Sequence, residues 1–562
     1  MDDAIGVSSS NDLDSKHVPI GLAEKDDEVQ AKQIKENLQK YEQLFGADED
    51  AFDQPTTTRK ELWSYYLYYN GDNGVGPGSY SQALFQNALT SAGWDPDVHP
   101  IQKGNCGNAG CVIPWGSGTR SVASVVLIAN GICFAVMTVM FVGLGSAADY
   151  GSFGRWLLLV LTLICWVFQY AMIAIRKAEQ WPTAMVFYII AYIAYGATLV
   201  FYAALFPRLA RYMPHVRKAR DEDLKEGKID QAEYDRIESL ERNHISSIST
   251  AHSNIGYLLT LVINLSVVLG IWWFIFQQPR PGPKIPEGSN YATIGWKQVW
   301  LALKEIRHLP QTFTYLVAFF LLADGLNTTG SLIGIIQNNI VSFSFLEITY
   351  LGLAQAATST ASTFGFWYIQ KYFGIKTKHM FMITNFFSVF IPLYGMIGLW
   401  TTRIGYHHVR DFWIYNILFG LFQAPYYAYA QTMMSEVTPR GYENMFFGLF
   451  GITNRASSII GPNVVQAIIN SSNNNWMGFP FLFALCTAAT IVIWFVDVEK
   501  GRENCRIYVE ERKLVRVAKE SGLTTDQVVE GVATGTLAVD SIDSDGSVDR
   551  VAVEGSGKGH LD

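Results

Sequence analysis

The chain has 562 residues, 49% of them hydrophobic and 16% charged. A soluble protein carries about 25% charged residues, so this composition argues against a soluble globular enzyme. The net charge of −8 is concentrated in two acidic tails and gives no reason to expect a nucleic-acid partner.

The apolar residues fall in blocks of about twenty, each long enough to cross the ~30 Å hydrocarbon core as a helix. Residues 1–58 form a polar tail with no positively charged start and apolar core, so the first span is expected to serve as an internal anchor. The blocks then run over 61–90 (polar and broken by glycine), 121–145, 156–175, 183–206, 255–276, 312–337, 348–369, 380–400, 412–434, 446–469 and 479–496. From Glu499 the chain is polar again, with a short helix expected around 503–520. The expected organisation is a tail (1–58), a first helical half (59–276), a central loop (277–311), a second half (312–497) and a second tail (498–562). Basic loops at Arg208–Lys228, Lys371–Lys378 and Pro439–Arg440 place both tails and the central loop in the cytoplasm. The loops 91–120 and 471–477 then lie on the far side. This topology contains a conflict. The segments 207–254 and 277–311 both read as cytoplasmic, yet a single apolar block separates them. Either 255–276 is a re-entrant hairpin or one span is lost or compressed there, and the second reading is preferred.

The chemistry-bearing signals lie where blocks are interrupted. In the first block, Asn70, Asp72 and Asn73 stand among Gly71, Gly74, Gly76, Pro77 and Gly78. A broken backbone in a membrane is tolerated beside a cavity or within protein. A carboxylate at that depth is costly, and so marks a functional candidate. The opening block of the second half repeats the pattern with Asp324, Gly325, Asn327 and Gly330. Glycine-interrupted spans at corresponding positions of two halves point to a transporter's central site. The alternative is that each carboxylate pairs within the bundle and holds helices together. Pro425 breaks the tenth span beside Tyr426, a candidate wall of the site, and Arg455 is the lone basic residue between Phe446 and Ile469. Arg455 either neutralises Asp324, holds a substrate carboxylate, or snorkels to the interface. The loop Gly145-Ser-Ala-Ala-Asp149-Tyr-Gly-Ser-Phe-Gly154-Arg155 resembles the loop between the second and third helices of the major facilitator superfamily, with one extra residue before Gly154. Asp149 and Arg155 are therefore candidate gating residues that pair across the cytoplasmic face in one state. Cys106 and Cys111 flank a Gly/Asn loop on the far side and are a candidate disulfide; with no histidine nearby, a metal site is not expected. The chain has no nucleotide-binding glycine loop, metal-binding His pair or nucleophile elbow, so no cofactor and no enzymatic activity are expected.

Several of these segments resemble the fungal autophagy-related protein 22 family of the major facilitator superfamily. They are Arg59-Lys60-Glu61-Leu62-Trp63-Ser64-Tyr65-Tyr66, Asp324-Gly325, Ile271-Trp272-Trp273-Phe274 and Arg280-Pro281-Gly282-Pro283. The strongest runs from Glu436 through Pro439, Gly441, Glu443 and Phe446 to Phe450, followed by Ser457, Ser458, Gly461 and Pro462. The resemblance covers about 59–500. It implies an all-α, multi-pass bundle of the major-facilitator type, about eleven of whose twelve spans are recognisable here. It also implies export of leucine-, isoleucine- and tyrosine-type amino acids from the vacuole to the cytosol after autophagic degradation. The first span departs from the family where Asn70-Gly71-Asp72-Asn73 replaces its usual residues. On this reading the partners are amino acids, with a coupled proton on Asp72 as a variant, and the lipid bilayer of the vacuole. The alternatives are a facilitator for another small solute, such as a sugar or peptide, and a non-transporting receptor or scaffold. If Asp72 binds substrate or a proton, the nearly isosteric Asp72→Asn change abolishes solute flux while abundance and location are kept. Flux and abundance measured together in that one variant are the check, and normal flux per folded molecule removes the role.

Overall fold

Polar helices packed inside apolar ones organise the chain, as seen in a computed structural model of residues 54–74, 80–96, 101, 103–104, 111–260, 266–280, 290–304, 308–340, 345–472 and 474–521, with short strands at 537–538 and 552–553. Residues 54–505 form one unit; the terminal segments form another, which among the described residues holds the end of a helix and the antiparallel pair Leu537–Ala538 and Ala552–Val553. The expected all-α, multi-pass bundle is what forms. Among the described residues, six helical segments are long and apolar enough to cross a membrane: Ser124–Asp149, Phe153–Ala174, Ala178–Arg211, Pro310–Gln337, Thr377–Ile397 and Asn475–Phe495. They turn Val139, Val160, Val167, Val317, Phe386 and Ile491 outward, as a lipid-facing surface requires.

The first block is two helices, α1 (Arg59–Gly74) and α2 (Tyr80–Ala92). A short hairpin of β1 (Val112–Trp115) and β2 (Gly118–Ser121) leads into α3 (Val122–Gly145). One 3-10 turn, Ser146–Asp149, joins α3 to α4 (Phe153–Ala171), and α5 (Trp181–Ala203) follows. The basic segment after it is helical: α6 (Phe206–Arg211), α7 (Pro214–Lys218) and the 30-residue α8 (Gln231–Thr260). Then come α9 (Ser266–Phe276), α10 (Tyr291–Lys304), α11 (Pro310–Ile340), α12 (Phe345–Phe373) and α13 (Thr377–Ile397). The tenth block is α14 (Val409–Leu418), a π-helical turn at Phe419–Gln423 and α15 (Ala424–Glu436). Pro425 lacks an N–H and clashes with the preceding turn, and the wider π turn absorbs the break. α16 (Glu443–Ser472), α17 (Gly478–Phe495) and α18 (Val498–Ser521) complete the chain of helices.

The topological conflict is resolved by a helix in the segment read as a loop. The segment read as a loop, 207–254, contains most of α8. Its charged first half holds Glu238 and Arg242, and its second half buries Ser246, Ser247, Ser249 and Ser253. Ser246 Oγ donates to the Ala428 carbonyl of α15 at 3.0 Å. α9 then returns to the end where α8 began. Just beyond it, Arg280 pairs with Glu61 at the start of α1 (2.5 Å), and Gln278 N–H donates to the same carboxylate at 3.0 Å. Thr57, just before α1, bonds Tyr212 and Leu209 of the α6 region at that same end. α8 and α9 thus form an out-and-back pair flanking α1. At 1.5 Å per residue the 11 described residues of α9 rise ~16 Å.

At the opposite end, Cys111 is disulfide-bonded; the buried Cys133, Cys165, Cys486 and Cys505 are in no disulfide among the described residues. Its expected partner, Cys106, lies outside the described residues. Alkylation before and after reductant is the check: two additional thiols per chain should label only after reduction. Full labelling of all six without reductant rules out the bridge.

Candidate transport pathway and its charged latch

Asp149 does more than end a helix. Its Oδ1 accepts the backbone N–H (2.9 Å) and side-chain amide (2.9 Å) of Asn444, and its Oδ2 accepts the Met445 N–H at 3.1 Å. These are first-turn donors of α16, so a carboxylate from the first half caps a helix of the second. Arg208 bridges Asp149 (3.2 Å) and Glu443 (3.3 Å), and Arg211 reaches Glu443 at 3.3 Å. Asp149, Arg211 and Glu443 are each only 2% exposed. Burial opposes ionisation of Glu443, but Arg208 and Arg211 outweigh it and hold the carboxyl below its usual range. The glycines of the loop have steric reasons. A Cβ on Gly154 would lie 2.7 Å from the Ala148 carbonyl oxygen, and one on Gly145 would lie 3.3 Å from that of Asn444.

The network extends across the bundle. Glu238 of α8 meets Arg242, Arg440 (3.1 Å) and Arg211 (3.6 Å). Burial disfavours its charge, yet Arg242, Arg440 and Arg211 hold it well below the usual carboxylate range. Arg242 donates to the Ser435 carbonyl at 2.9 Å. Glu436, at the end of α15, accepts from Thr377 (2.6 Å) and Ser239 and pairs with Arg502 at 3.3 Å. At the rim, Glu241 takes hydrogen bonds from His215 and His244, both at 3.2 Å. Burial raises the Glu241 carboxyl, but the two imidazoles outweigh it and hold it at about 2, and the carboxylate raises His215. Glu241's contribution is present above the ordinary carboxylate range and is lost as pH falls towards about 2. His215's is present below its ordinary value and is lost as pH rises through the raised one.

Of the two candidate gating residues, Asp149 sits in this latch. Arg155 does not pair with it; its Nη2 donates to the Phe274 carbonyl at 3.0 Å, tying the start of α4 to the end of α9. Sequence reasoning missed Arg208, Arg211, Glu238, Arg242, Glu436 and Glu443 as a set. The available signal was acidic residues embedded in otherwise basic segments.

In the bundle interior, Asp324 is 2% exposed and accepts the Gly461 N–H of α16 at 2.9 Å, with Thr328 at 3.4 Å. A Cβ on Gly461 would lie 2.4 Å from its Oδ1, so only glycine allows this approach. Asp324 therefore clamps α11 to α16 in this conformation, the helix-holding alternative. Asn327 accepts from Tyr427 at 3.3 Å, and Gln423 in the π turn donates to the same hydroxyl at 3.4 Å. It is Tyr427 that joins this polar group. Tyr426 is buried in a stack with Phe319 and Phe381, its hydroxyl without a hydrogen-bond partner among the described residues. In the first half, Tyr65 stacks on Tyr202 at 4.1 Å, with each hydroxyl donating to the other's backbone carbonyl. Tyr68 bonds Thr162 at 2.8 Å. Asn70, Asp72 and Asn73 belong to α1 and Arg455 to α16, but their side chains lie outside the described residues.

The family model described as "Vacuole effluxer Atg22 like" matches residues 57–272 and 265–506. Among similar proteins, Autophagy-related protein 22 of Gibberella zeae is 22% identical, over 80% of this chain and 81% of the relative. Autophagy-related protein 22-1 of Penicillium rubens is 24% identical, over 79% and 86%. Among solved structures, a bacterial homologue of the iron transporter ferroportin in an outward-facing state aligns at TM-score 0.49 and 12% identity, over 77% of this chain and 97% of that one. The human organic anion transporter MFSD10 aligns at 0.49 and 13%, over 77% and 99%.

Removing one partner from a buried ion pair costs ~3–5 kcal/mol, because a charge is stranded. Glu443→Gln takes a carboxylate from both Arg208 and Arg211, leaving Arg208 with Asp149 and Arg211 with Glu238, so it should open the charged end. A Thr438→Cys reporter, at a position 8% exposed, is then expected to react with a maleimide at least about tenfold faster, a ~1.4 kcal/mol shift. An unchanged rate in a folded protein would mean that these charges do not hold the end closed.

Proposed function

The chain belongs to the vacuole effluxer Atg22-like family and is a multi-pass membrane transporter, and we propose that it exports leucine-, isoleucine- and tyrosine-type amino acids from the vacuole to the cytosol by alternating access of the major-facilitator kind. The observation that carries this reading is the latch. Charges from the Ser146–Asp149 turn, α6 and α8 meet Glu443 of α16, Arg440 and the Ser435 carbonyl of α15 at one end, while the polar group of Asn327, Tyr427 and Gln423 lies deeper in the bundle. A bundle with one end tied shut by breakable ion pairs and a polar interior is suited to rocking between two accessible states.

The latch end is assigned to the cytoplasm, together with both tails, by its basic loops. On that assignment the latched form faces the vacuolar lumen, and release to the cytosol requires the Arg208–Glu443 and Glu238–Arg440 pairs to part. An amino acid is a zwitterion. Asp72, with Asn70 and Asn73, is proposed to meet its ammonium, and Arg455 its carboxylate. Asn327 and Tyr427 would contact its polar backbone, and Tyr426 would wall the side chain. Asp324 joins them only once the Gly461 bond opens. A proton on Asp72 is the proposed coupling variant.

Vacuoles isolated with and without the protein, preloaded with labelled leucine, isoleucine and tyrosine, give the test. Release should depend on the chain, and Tyr427→Phe, which removes the hydroxyl bonded to Asn327, should slow it several-fold at unchanged abundance. Equal release in both preparations, with a different preloaded solute showing the dependence instead, replaces the amino-acid reading with another cargo.

A further inference from the structure

We propose that the cleft between α4, α6 and the end of α9 binds a phosphate-bearing anion, supplied by a lipid headgroup or by soluble phosphate. Three guanidinium groups line it, from Arg155, Arg208 and Arg280, and among the described residues no carboxylate does. Two of the three are neutralised from behind, Arg280 by Glu61 and Arg208 by Asp149 and Glu443. Arg155 is different: its partner among the described residues is a neutral carbonyl, that of Phe274. A guanidinium carries five N–H donors in a planar fork matched to phosphate oxygens, and one carbonyl leaves most of that fork unused. A second observation is independent of Arg155. Arg280 Nε, an N–H donor on a side chain 9% exposed, is buried at the same cleft without a hydrogen-bond partner among the described residues, although buried polar atoms are normally satisfied. That N–H is free to meet an oxyanion.

The mouth of the cleft favours the lipid as source. Trp156, which lines it, is 60% exposed, and the neighbouring α9 surface presents Trp272 and Ile275 outward. Tryptophan is enriched at headgroup depth. Arg208 and Asn444 line the cleft from within, so an occupying phosphate meets two members of the latch. The site would therefore connect the occupancy of an anion to the strength of the closed end.

The purified full-length chain in a neutral detergent, titrated with short-chain phosphatidylinositol and separately with inorganic phosphate, tests this through the thermal unfolding midpoint. A saturable rise with at least one probe is expected, and Arg155→Gln should weaken the apparent affinity on the order of tenfold, the loss of a bidentate contact. A rise with the lipid but not with inorganic phosphate assigns the headgroup; a rise with both assigns soluble phosphate chemistry. Should Arg155→Gln fold poorly, Arg155→Lys carries the test, since it keeps the charge and loses the fork, and an intermediate loss is expected. Arg236→Gln, at an exposed ion pair with Glu233, should leave the titration unchanged. No rise with either probe, or an undiminished rise in both Arg155 variants, overturns the proposal.

Discussion

Glu443 is buried between two arginines of the other half of the molecule, and the architecture of the charged end depends on that placement. Neither the carboxylate nor Arg211 can be left in a dry interior alone. The desolvation of both ions offsets much of their attraction, so the pair adds little net stability to the bundle. It acts instead as a selector. Any arrangement that separates the halves must rehydrate Glu443, Asp149 and Arg208 together, because they share partners. Partial separation gains nothing, and the closed end is therefore expected to open as a unit.

The close approaches around it serve the same docking. Asp149 reaches the first turn of α16 because Gly154 leaves room beneath the loop. Deeper in the bundle, Asp324 reaches α16 because Gly461 lacks a side chain. Two carboxylates of different elements thus hold one helix at two heights, each through backbone N–H groups. α16 must change partners at both places if the halves rock. The tyrosine pair of α1 and α5, locked hydroxyl to carbonyl in both directions, ties those two helices together.

Composition and block length made the helical, multi-pass fold legible, because a lipid-facing helix has to be apolar. Helices enclosed by others escape that requirement. α8 buries serines against α15 and carries charges at its start, so it reads as a loop, and its neighbour α9 then looks like a lone crossing. The loop from Gly145 to Arg155 was read as a gating element by resemblance, but Asp149's partners come from α6 and α16, distant in sequence, and only the folded chain brings them together. Likewise Pro425 signalled a break in its helix, yet spacing alone did not distinguish Tyr426, whose ring is stacked, from Tyr427, whose hydroxyl meets Asn327. Pairings set by tertiary contact are invisible to periodicity.

The tie between Arg155 and the Phe274 carbonyl has a further consequence for the lipid around the protein. It holds the end of α9, where Ile271, Trp272 and Ile275 are turned outward, against the start of α4, where Trp156 is 60% exposed. Indole rings settle at headgroup depth, so the two elements together fix how deep this flank sits in the bilayer. A motion that separated α4 from α9 would have to drag those rings through the interface, and the surrounding lipid would resist it.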